Sequence, residues 1–268
     1  MRVKDKTFVV TGGANGIGRQ VVLSLLKHGA SVAAIDRDDK GLNALLEVTK
    51  EYGAAIDVFV TDITRVDDVK RTISAIIERF VHIDGIINVA GIIQPFVDVV
   101  DLEITHINRV MDVNFYGTVY MVKALLPHLL EQKEAHIVNV SSMGGFIPVP
   151  GQSAYGASKA AVKLFTEGLY AELVETNVRV SLVFPGAVET EITKNSGAKL
   201  DIDANQAKTK MLSAEKCATI IIKGMEKNKF RIMAGSDAKL LDRLLRLMPT
   251  RTILIIAKKM KQLKVGKS

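Results

Sequence analysis

Short apolar segments alternate along this sequence with longer stretches in which apolar residues recur every three or four positions. The apolar segments are residues 7–11, 31–35, 55–60, 85–89, 136–140, 178–184 and 230–233. Most carry Val or Ile at consecutive positions, which is typical of strands covered on both faces. The stretches between them have helical spacing and cover residues 17–28, 41–52, 66–80, 106–130, 155–175 and 214–227. This alternation predicts an α/β fold, a doubly wound, Rossmann-type parallel sheet of about seven strands flanked by helices.

The domain organisation follows from length and from the absence of breaks. A chain of 268 residues can bury a self-sufficient core, and no internal repeat, low-complexity run or Gly/Ser/Pro-rich linker interrupts it. We predict a single Rossmann-fold catalytic domain over residues 1–237 and a tail over residues 238–268.

The positive charge of the chain is concentrated in that tail. The whole sequence has 36 Lys and Arg against 29 Asp and Glu, a net charge of +7. Residues 239–268 carry nine bases and only Asp242 as an acid, which leaves 27 bases against 28 acids in the rest. Apolar residues at helical spacing on both sides of Pro249 predict two amphipathic helices. They could lie on an anionic membrane as a peripheral contact, or pack on the domain or on another subunit. Nucleic acid is not expected as a partner, because the tail has no aromatic residue.

Composition also bears on the compartment. The single Cys217 cannot form an internal disulfide, which favours a reducing, cytoplasmic location. The first residues lack the apolar core of a signal peptide, and no apolar run approaches the roughly 18 residues of a membrane span. We therefore expect neither export nor membrane insertion.

A glycine-rich segment follows the first predicted strand and precedes the first predicted helix. It reads Thr11-Gly12-Gly13-Ala14-Asn15-Gly16-Ile17-Gly18. In this context the glycines permit a tight turn, close approach to a pyrophosphate and close packing of helix on strand. The helix N-terminus would supply free amides to the phosphates. The segment predicts a dinucleotide site that includes Gly12, Asn15, Gly16, Ile17 and Gly18; the alternative is a glycine-rich turn without a ligand.

Two acidic residues follow the next two strands. Asp36 ends the second strand, where a carboxylate can accept hydrogen bonds from the ribose hydroxyls and repel the 2′-phosphate of NADP. NAD is therefore preferred as the cofactor, although the adjacent Arg37 could tolerate a phosphate, and Asp36 could instead be a surface cap. Asp62 and Ile63 follow the third strand and would contact the adenine; alternatively, Asp62 caps the helix that begins near Val66.

Tyr155 and Lys159 lie one helical turn apart at the start of a long predicted helix. An ordinary tyrosine has a pKa of about 10, and a nearby cation favours the phenolate. Tyr155 is therefore a candidate general acid/base, with Lys159 lowering its pKa.

Together these elements resemble the short-chain dehydrogenase/reductase family in its single-domain form. The resemblance covers about residues 5–235 and adds Asn114, Ser142 in Val138-Asn139-Val140-Ser141-Ser142, and Pro185-Gly186. It implies that Tyr155 moves the proton, Ser142 binds the substrate oxygen, Lys159 also binds the nicotinamide ribose, and Asn114 kinks its helix and holds a relay water. It further implies that the cofactor contacts Asn88, Ala90, Gly91, Tyr155, Lys159, Pro185, Gly186, Val188 and Thr190. Ser141 could form the same bond as Ser142, but the family spacing favours Ser142.

One position departs from the family pattern. Asn88-Val89-Ala90-Gly91 stands where the family usually has Asn-Asn-Ala-Gly, so a hydrogen bond that could support the sheet is missing.

The reaction implied is hydride transfer between nicotinamide and an alcohol or its ketone or aldehyde. No metal is expected, because the His residues show no ligand-like spacing. The loops beyond the strand ends are mostly apolar, which favours a hydrophobic substrate such as a retinoid, steroid, fatty or aromatic carbonyl. Candidate substrate residues are Gln94, Met143, Phe146 and Gln152, and residues 189–212 are expected to form a mobile lid.

Two other functions remain open. One is an inactive cofactor-binding scaffold or regulator, which does not need Ser142, Tyr155 and Lys159 together. The other is a dehydratase or epimerase that uses transient hydride transfer, although that branch has different glycine spacing. The family resemblance also implies a homodimer or homotetramer that pairs the helices near residues 106–130 and 155–175.

Overall fold

A seven-stranded parallel sheet forms the centre of the molecule. The computed structural model describes residues 1–190, 192 and 211–265, with the side chains of 259–265 left out of the description. The strands are β1 (Thr7–Thr11), β2 (Ser31–Asp36), β3 (Ile56–Val60), β4 (Gly85–Asn88), β5 (Ala135–Val140), β6 (Val178–Pro185), β7 (Val188–Glu189), β8 (Leu212–Ser213) and β9 (Arg231–Ala234). The large sheet has the order β3-β2-β1-β4-β5-β6-β9, and β7 pairs with β8 beside it. The predicted doubly wound sheet is confirmed.

Helices cover both faces of this sheet. They are α1 (Gly16–Lys27), α2 (Asp39–Val48), α3 (Val66–Phe80), α4 (Ile104–Met111), α5 (Gly117–Leu130), α6 (Ser153–Leu173), α7 (Ala214–Glu226), α8 (Ser236–Leu247) and α9 (Pro249–Val265). The apolar sides of α1, α2 and α7 pack on one face, and those of α3, α5 and α6 pack on the other. Because both faces are covered, the central strands are apolar at consecutive positions.

The functional crevice lies where the strand order reverses. β1 is paired with β2 on one side and with β4 on the other, and Thr11 is opposite Ile35 and Asn88. The loops that follow these strands diverge to opposite faces of the sheet, which leaves a crevice at their carboxyl ends.

The helix predicted over residues 106–130 is interrupted. A π-helical turn, Asp112–Tyr116, separates α4 from α5, and Gly117 N–H donates to the carbonyl of Asp112. A Cβ on Gly117 would lie 2.7 Å from Cδ1 of Ile63, so a larger residue at the end of this turn would displace the Ile63 side chain.

The tail forms two helices, as predicted, and one side of them packs on the domain. Ala238 is fully buried and Thr252 is only 3% exposed. Asp242 pairs with Arg231 of β9 at 2.9 Å. No helix in the part of the chain described is long and apolar enough to cross a membrane. Most of the predicted lid over residues 189–212 lies outside the described residues.

Candidate active site

A cavity of about 380 Å³ fills the crevice at the carboxyl ends of β1, β2 and β4. Many of the residues predicted to contact a cofactor line it, namely Gly12, Asn15, Gly16, Ile17, Gly18, Asp36, Arg37, Asp62, Ile63, Ala90, Gly91 and Thr190. Lining residues that were not predicted to contact the cofactor are Ile35, Asp38, Thr61, Val89, Ile92, Val113 and Ile192. The structure thus brings residues from the ends of several strands into one cavity.

The glycine-rich segment shapes the floor of this cavity. Gly12 has φ +73°, and a Cβ there would lie 2.9 Å from the backbone nitrogen of Ala90. A Cβ on Gly18 would overlap the carbonyl oxygen of Gly12. The side chain of Asn15, at the N-cap of α1, caps no amide, and the first turn of the helix has no acidic residue. Free amides and the positive end of the helix dipole therefore face the cavity, which fits the phosphates of a dinucleotide.

Two carboxylates stand side by side at the end of β2. Asp36 accepts from Ala14 N–H and from Asp38 N–H, both at 3.1 Å. Asp38 caps α2 by accepting from Gly41 N–H at 3.1 Å and also accepts from the Asn15 amide at 3.0 Å. The Gly41 hydrogen bond, followed by that of Asn15, lowers the pKa of Asp38. The side chain of Asn15 therefore contacts a protein carboxylate, and Asp38 adds a second negative charge that the sequence analysis overlooked.

The residues after β3 divide between the surface and the core. Asp62 is exposed and accepts from the backbone and the hydroxyl of Thr64 at 3.0 and 2.7 Å. The N-cap position of α3 belongs to Arg65, so the alternative in which Asp62 caps that helix is wrong. Ile63 is buried beside Gly117, and Arg37 is exposed at the rim.

The loop after β4 is tied to β1 through a hydroxyl. Thr11 Oγ1 accepts from Val89 N–H and Ala90 N–H at 3.1 and 3.2 Å. Asn88, in contrast, is 3% exposed and donates its amide to Asn139 at 2.9 Å, within the sheet. The structure places Asn88 behind the cavity rather than on its wall, whereas Val89, at the position of the family departure, faces the cavity.

Ser142 and Tyr155 lie together at the end of β5. Ser142 Oγ accepts from Gly144 N–H at 3.0 Å and begins a short 3-10 turn. A Cβ on Gly144 would lie 3.1 Å from Cε1 of Tyr155 and 3.4 Å from Ser142 Oγ. Both side chains therefore contact the same glycine, and both remain partly exposed.

The neighbouring Ser141 is buried and forms a hydrogen bond within the protein. It is 2% exposed, and its hydroxyl donates to the carbonyl of Lys159 at 2.7 Å. A hydroxyl engaged in this way cannot reach a substrate. The geometry therefore favours Ser142 over Ser141 as the residue that binds a substrate oxygen.

Lys159 is buried one turn after Tyr155. Its ammonium donates to the carbonyl of Val140 at 3.0 Å, and burial lowers its pKa to about 8. A Cβ on Gly91 would lie 3.1 Å from Lys159 Nζ and 3.2 Å from Asn114 Oδ1. Gly91 thus leaves room for the lysine at the edge of the crevice.

The pKa of Tyr155 moves opposite to the sequence-based expectation. Burial raises it, and the hydrogen bond with Ser142 is what opposes this shift. The neighbouring Lys159 is desolvated as well, and its ammonium donates to the carbonyl of Val140. Tyr155 is therefore a neutral phenol, which is the proton-donating form.

Asn114 lies in the π-helical turn and locks two segments together. Its amide donates to Ile92 O and Ser158 Oγ, both at 2.9 Å, and its Oδ1 accepts from Ile92 N–H at 2.8 Å. Ser158 in turn donates to the carbonyl of Tyr155 at 2.7 Å. The side chain therefore connects the loop after β4 to α6 close to Tyr155, and it lies where a π turn interrupts its own helix.

The segment after β6 is held by the first turn of α8. Asp237 accepts from Ala187 N–H at 3.0 Å, and a Cβ on Gly186 would overlap its carboxylate. Pro185 ends β6 and Val188 begins β7, and neither they nor Gly186 line the crevice cavity. Asp237 is a positioning residue that sequence reasoning missed, because its contact spans 50 positions.

Two residues predicted to contact the substrate form hydrogen bonds that hold loops together. Gln94 is 1% exposed; its Oε1 accepts from Tyr155 N–H at 2.9 Å and its Nε2 donates to Gly151 O at 3.1 Å. Gln152 is also buried and donates to Gln94 O at 2.9 Å. The expected substrate contact of Gln94 is not supported by this geometry, because its amide is engaged with backbone.

A second cavity, of about 470 Å³, lies beside this loop. Its wall is mostly apolar and consists of Gly144, Gly145, Phe146, Ile147, Pro148, Val149, Pro150, Gln152, Ser153, Gly156, Ala157, Ala160, Ile253 and Ala257. Phe146 also packs edge-on against Phe184, with ring centroids 5.2 Å apart. Met143 is partly exposed on the 3-10 turn. Within the described part of the chain, no cluster of His, Cys, Asp and Glu could hold a metal ion.

Comparison with known proteins places these features in a family context. The sequence model of the family described as short chain dehydrogenase matches residues 6–201. A putative oxidoreductase, SadH, of Mycobacterium tuberculosis is 34% identical in an alignment of 253 positions that covers 91% of this chain and 91% of that protein.

Solved structures agree with this fold. A short chain dehydrogenase/reductase from Burkholderia phymatum in complex with NAD has a TM-score of 0.82 at 24% identity, covering 92% of this chain and 96% of that one. A short chain dehydrogenase from Burkholderia cenocepacia in complex with NADP has a TM-score of 0.79 at 26% identity, covering 96% and 99%.

Proposed function

The chain belongs to the short-chain dehydrogenase/reductase family, and on that premise we propose that it interconverts a hydrophobic alcohol and its ketone or aldehyde with NAD(H). The family makes it an oxidoreductase with a nucleotide-binding Rossmann fold. The observation that carries the finer proposal is the contact of Ser142 and Tyr155 with one glycine, one helical turn from the buried Lys159. Its test is the Tyr155→Phe variant described below.

Each side chain has a distinct part in this reaction. Bound NAD(H) would supply or accept the hydride, and the uncapped N-terminus of α1 fits its phosphates. Ser142 would hold the substrate oxygen by a hydrogen bond. Tyr155 would donate a proton to that oxygen in reduction and accept one in oxidation. The cation of Lys159 would stabilise negative charge on the phenol oxygen as the proton leaves.

The pKa values of the two groups suit reduction at neutral pH. Tyr155 is protonated, because burial raises its pKa, and Lys159 is a cation below its pKa of about 8. As the pH rises through about 8, Lys159 loses its charge and its support of the phenolate. We therefore expect the reduction rate to fall above that pH.

The mechanism is tested by Tyr155→Phe. Removing the hydroxyl should lower the rate by about 10² to 10⁴, the usual contribution of general acid catalysis, and leave NADH affinity nearly unchanged. Tyr170→Phe, on the same helix but 42% exposed, is the matched control and should retain activity. Activity that survives Tyr155→Phe would remove this mechanism.

We also propose that NAD is preferred over NADP. The two Burkholderia structures contain NAD and NADP respectively, so the preference must come from residues of this chain. Asp36 and Asp38 line the cavity together, and their charges oppose a 2′-phosphate. Nicotinamide fluorescence titrations should show tighter binding of NADH than of NADPH, and Asp36→Ala should narrow the difference. Equal affinities in the unaltered protein would contradict this preference.

The proposed substrate class is supported by the apolar wall of the second cavity, which includes Gly144, the glycine next to the Tyr155 ring. A panel of alcohols with NAD and of ketones with NADH tests it. Turnover should increase with the apolar surface of the substrate, and a preference for free sugars would overturn the proposal.

We further propose that the protein is a homodimer or homotetramer. Leu164 and Tyr170 on α6 are 69% and 42% exposed, and such apolar side chains on a helix suit an interface. Sedimentation equilibrium measures the assembly, and a monomer at all concentrations would contradict it. The reducing compartment inferred from Cys217 stays a prediction.

A further inference from the structure

The tail leaves an apolar surface uncovered on both sides of the turn at Pro249. Leu247 and Met248 precede the turn and are 78% and 38% exposed, and Leu254 and Ile255 follow it at 57% and 61%. We call these four side chains the outer face. A cluster of this kind on a soluble protein marks a surface that contacts another body.

The outer face is held in place by contacts on the opposite side of the same helices. Thr252 is buried, and Ile253 and Ala257 line the second cavity. Asp242 of α8 pairs with Arg231 of β9. Because this inner side already packs on the domain, the outer face cannot be buried by a simple rotation of the helices.

Positive charge surrounds the outer face. Arg243, Arg251 and Lys258 are exposed on α8 and α9, and further lysines follow in the sequence. The single acid of the tail, Asp242, is engaged by Arg231 and Arg246. The rest of the chain is close to neutral, so the charge is a property of this surface rather than of the whole protein.

We propose that the outer face docks on an anionic lipid membrane, with α8 and α9 lying flat on it. Apolar side chains of an amphipathic helix enter the boundary of the acyl chains while Lys and Arg remain among the headgroups. A second copy of this chain is the weaker match, since two tails with nine bases each would repel one another. The inference goes beyond the proposed reaction and does not depend on it.

Vesicle co-sedimentation of the full chain tests the charge requirement. Each basic side chain near an anionic surface strengthens binding by about fivefold. Three exposed bases therefore predict binding to phosphatidylcholine vesicles containing phosphatidylserine that is at least about a hundredfold tighter than to phosphatidylcholine alone. High salt should weaken it. Equal binding to both vesicles, or to neither, would overturn the proposal.

Two variants test the apolar requirement. Leu254→Glu combined with Ile255→Glu should reduce binding to anionic vesicles by more than tenfold, with unchanged circular dichroism and NADH affinity. Val48→Glu on α2, where the side chain is 55% exposed, is the matched control and should bind as the unaltered protein does. Unreduced vesicle binding by the double variant would overturn the proposal. A second result would also overturn it: the unaltered protein binds vesicles weakly, and the double variant forms a smaller assembly than the unaltered protein. The outer face would then be covered by a second copy of the chain.

Deletion of the tail would be a poorer experiment. It would uncover the contacts of Ala238 and Thr252 and leave Arg231 without Asp242, so the domain itself would change. The point variants alter only exposed side chains, and vesicle binding does not require turnover. A negative result would therefore leave the proposed reaction standing.

Discussion

The nucleotide crevice and the substrate side of the molecule are built in different ways. The crevice consists largely of backbone: Gly12 approaches Ala90, Gly18 approaches Gly12, and the first amides of α1 are free. The substrate side depends on side chains that meet from distant positions. Gln94 holds residues 57 and 61 positions away, and Asp237 holds a loop 50 positions away.

This difference has a physical consequence. A backbone site needs small residues at fixed local spacing, so one substitution can destroy it while most neighbours are free to vary. A site built by distant side chains can be altered through any partner, and each loss is limited to a few hydrogen bonds. A cofactor site shared across a family fits the backbone construction of the crevice, and substrate choice that varies between members fits the side-chain construction of the substrate side.

The largest expected effect concerns the sheet beneath the substrate side. His136 of β5 is fully buried and contacts Ser181 Oγ of β6 at 2.8 Å, and Ser181 donates to the carbonyl of Lys229. Burial, with smaller contributions from the amino-terminus and Arg179, lowers its pKa from 6.5 to about 3. Between these values the unfolded chain binds the proton more readily, so stability is complete above pH 6.5 and is lost as the pH falls toward 3.

We therefore expect His136 alone to account for about 3 kcal/mol of lost stability between pH 7 and pH 4. Urea unfolding at both pH values measures it. His136→Leu should reduce the pH dependence by about that amount, whereas His82→Asn, at an exposed position, should not. An unchanged slope in His136→Leu would show that burial does not lower the pKa of this residue in the folded protein.

The next effect tests the backbone construction of the crevice. Gly18→Ala places a Cβ against the carbonyl of Gly12, which cannot move without disturbing the turn. Overpacking of this kind costs about 2 to 3 kcal/mol, and NADH binding should be lost. Gly168→Ala is the control, because nothing lies within 4 Å of a Cβ there and the helix should gain up to about 1 kcal/mol. If the two variants had the same thermal stability and the same NADH affinity, the crevice would not depend on close backbone contacts as described.

A smaller effect tests the substrate side. Gln94→Ala removes the acceptor of Tyr155 N–H and the donor to Gly151 O, at a cost of about 1 to 2 kcal/mol. Because these bonds position the first turn of α6, KM for the carbonyl should rise while NADH affinity stays within about twofold. Gln132→Ala is the control, since its amide donates to the carbonyl of His128, only four positions earlier. A matching loss of NADH affinity in Gln94→Ala would show that the two regions are not independent.

The same contrast explains how much the sequence could predict. The sheet, the glycine-rich turn and the position of Asp36 follow from local spacing and were predicted from it. Asn15, Asn88 and Gln94 were assigned to ligands, yet their amides bind protein groups 23, 51 and 57 to 61 positions away. A polar residue near a site gives no local sign of whether its partner is a ligand or a distant backbone group.

The helix interruption and the tail show a second limit. Apolar spacing continues through residues 106–130, so the interruption at the π-helical turn around Asn114 was expected only from the family resemblance and not from the hydropathy pattern. In the tail, the pattern predicts amphipathic helices but not which apolar side chains face the domain. Thr252 is buried and Leu254 is exposed, because tertiary contacts rather than hydropathy decide the orientation.

The smallest expected effect concerns the negative charge of Asp38 in the crevice, which can be removed without removing the helix cap. Asp38→Asn keeps a good N-cap for α2, since Asn and Asp cap equally well, but it removes a negative charge beside Asp36. Repulsion between partly exposed charges is weak, so the NADH preference over NADPH should fall by only about two- to fivefold. Thermal stability should be nearly unchanged, and Asp39→Asn, one position further along an exposed helix start, is the control. If Asp38→Asn instead abolished NADH binding, the Asp38 side chain would be as necessary for the crevice as the glycines are. The crevice would then depend on side chains as well as on backbone.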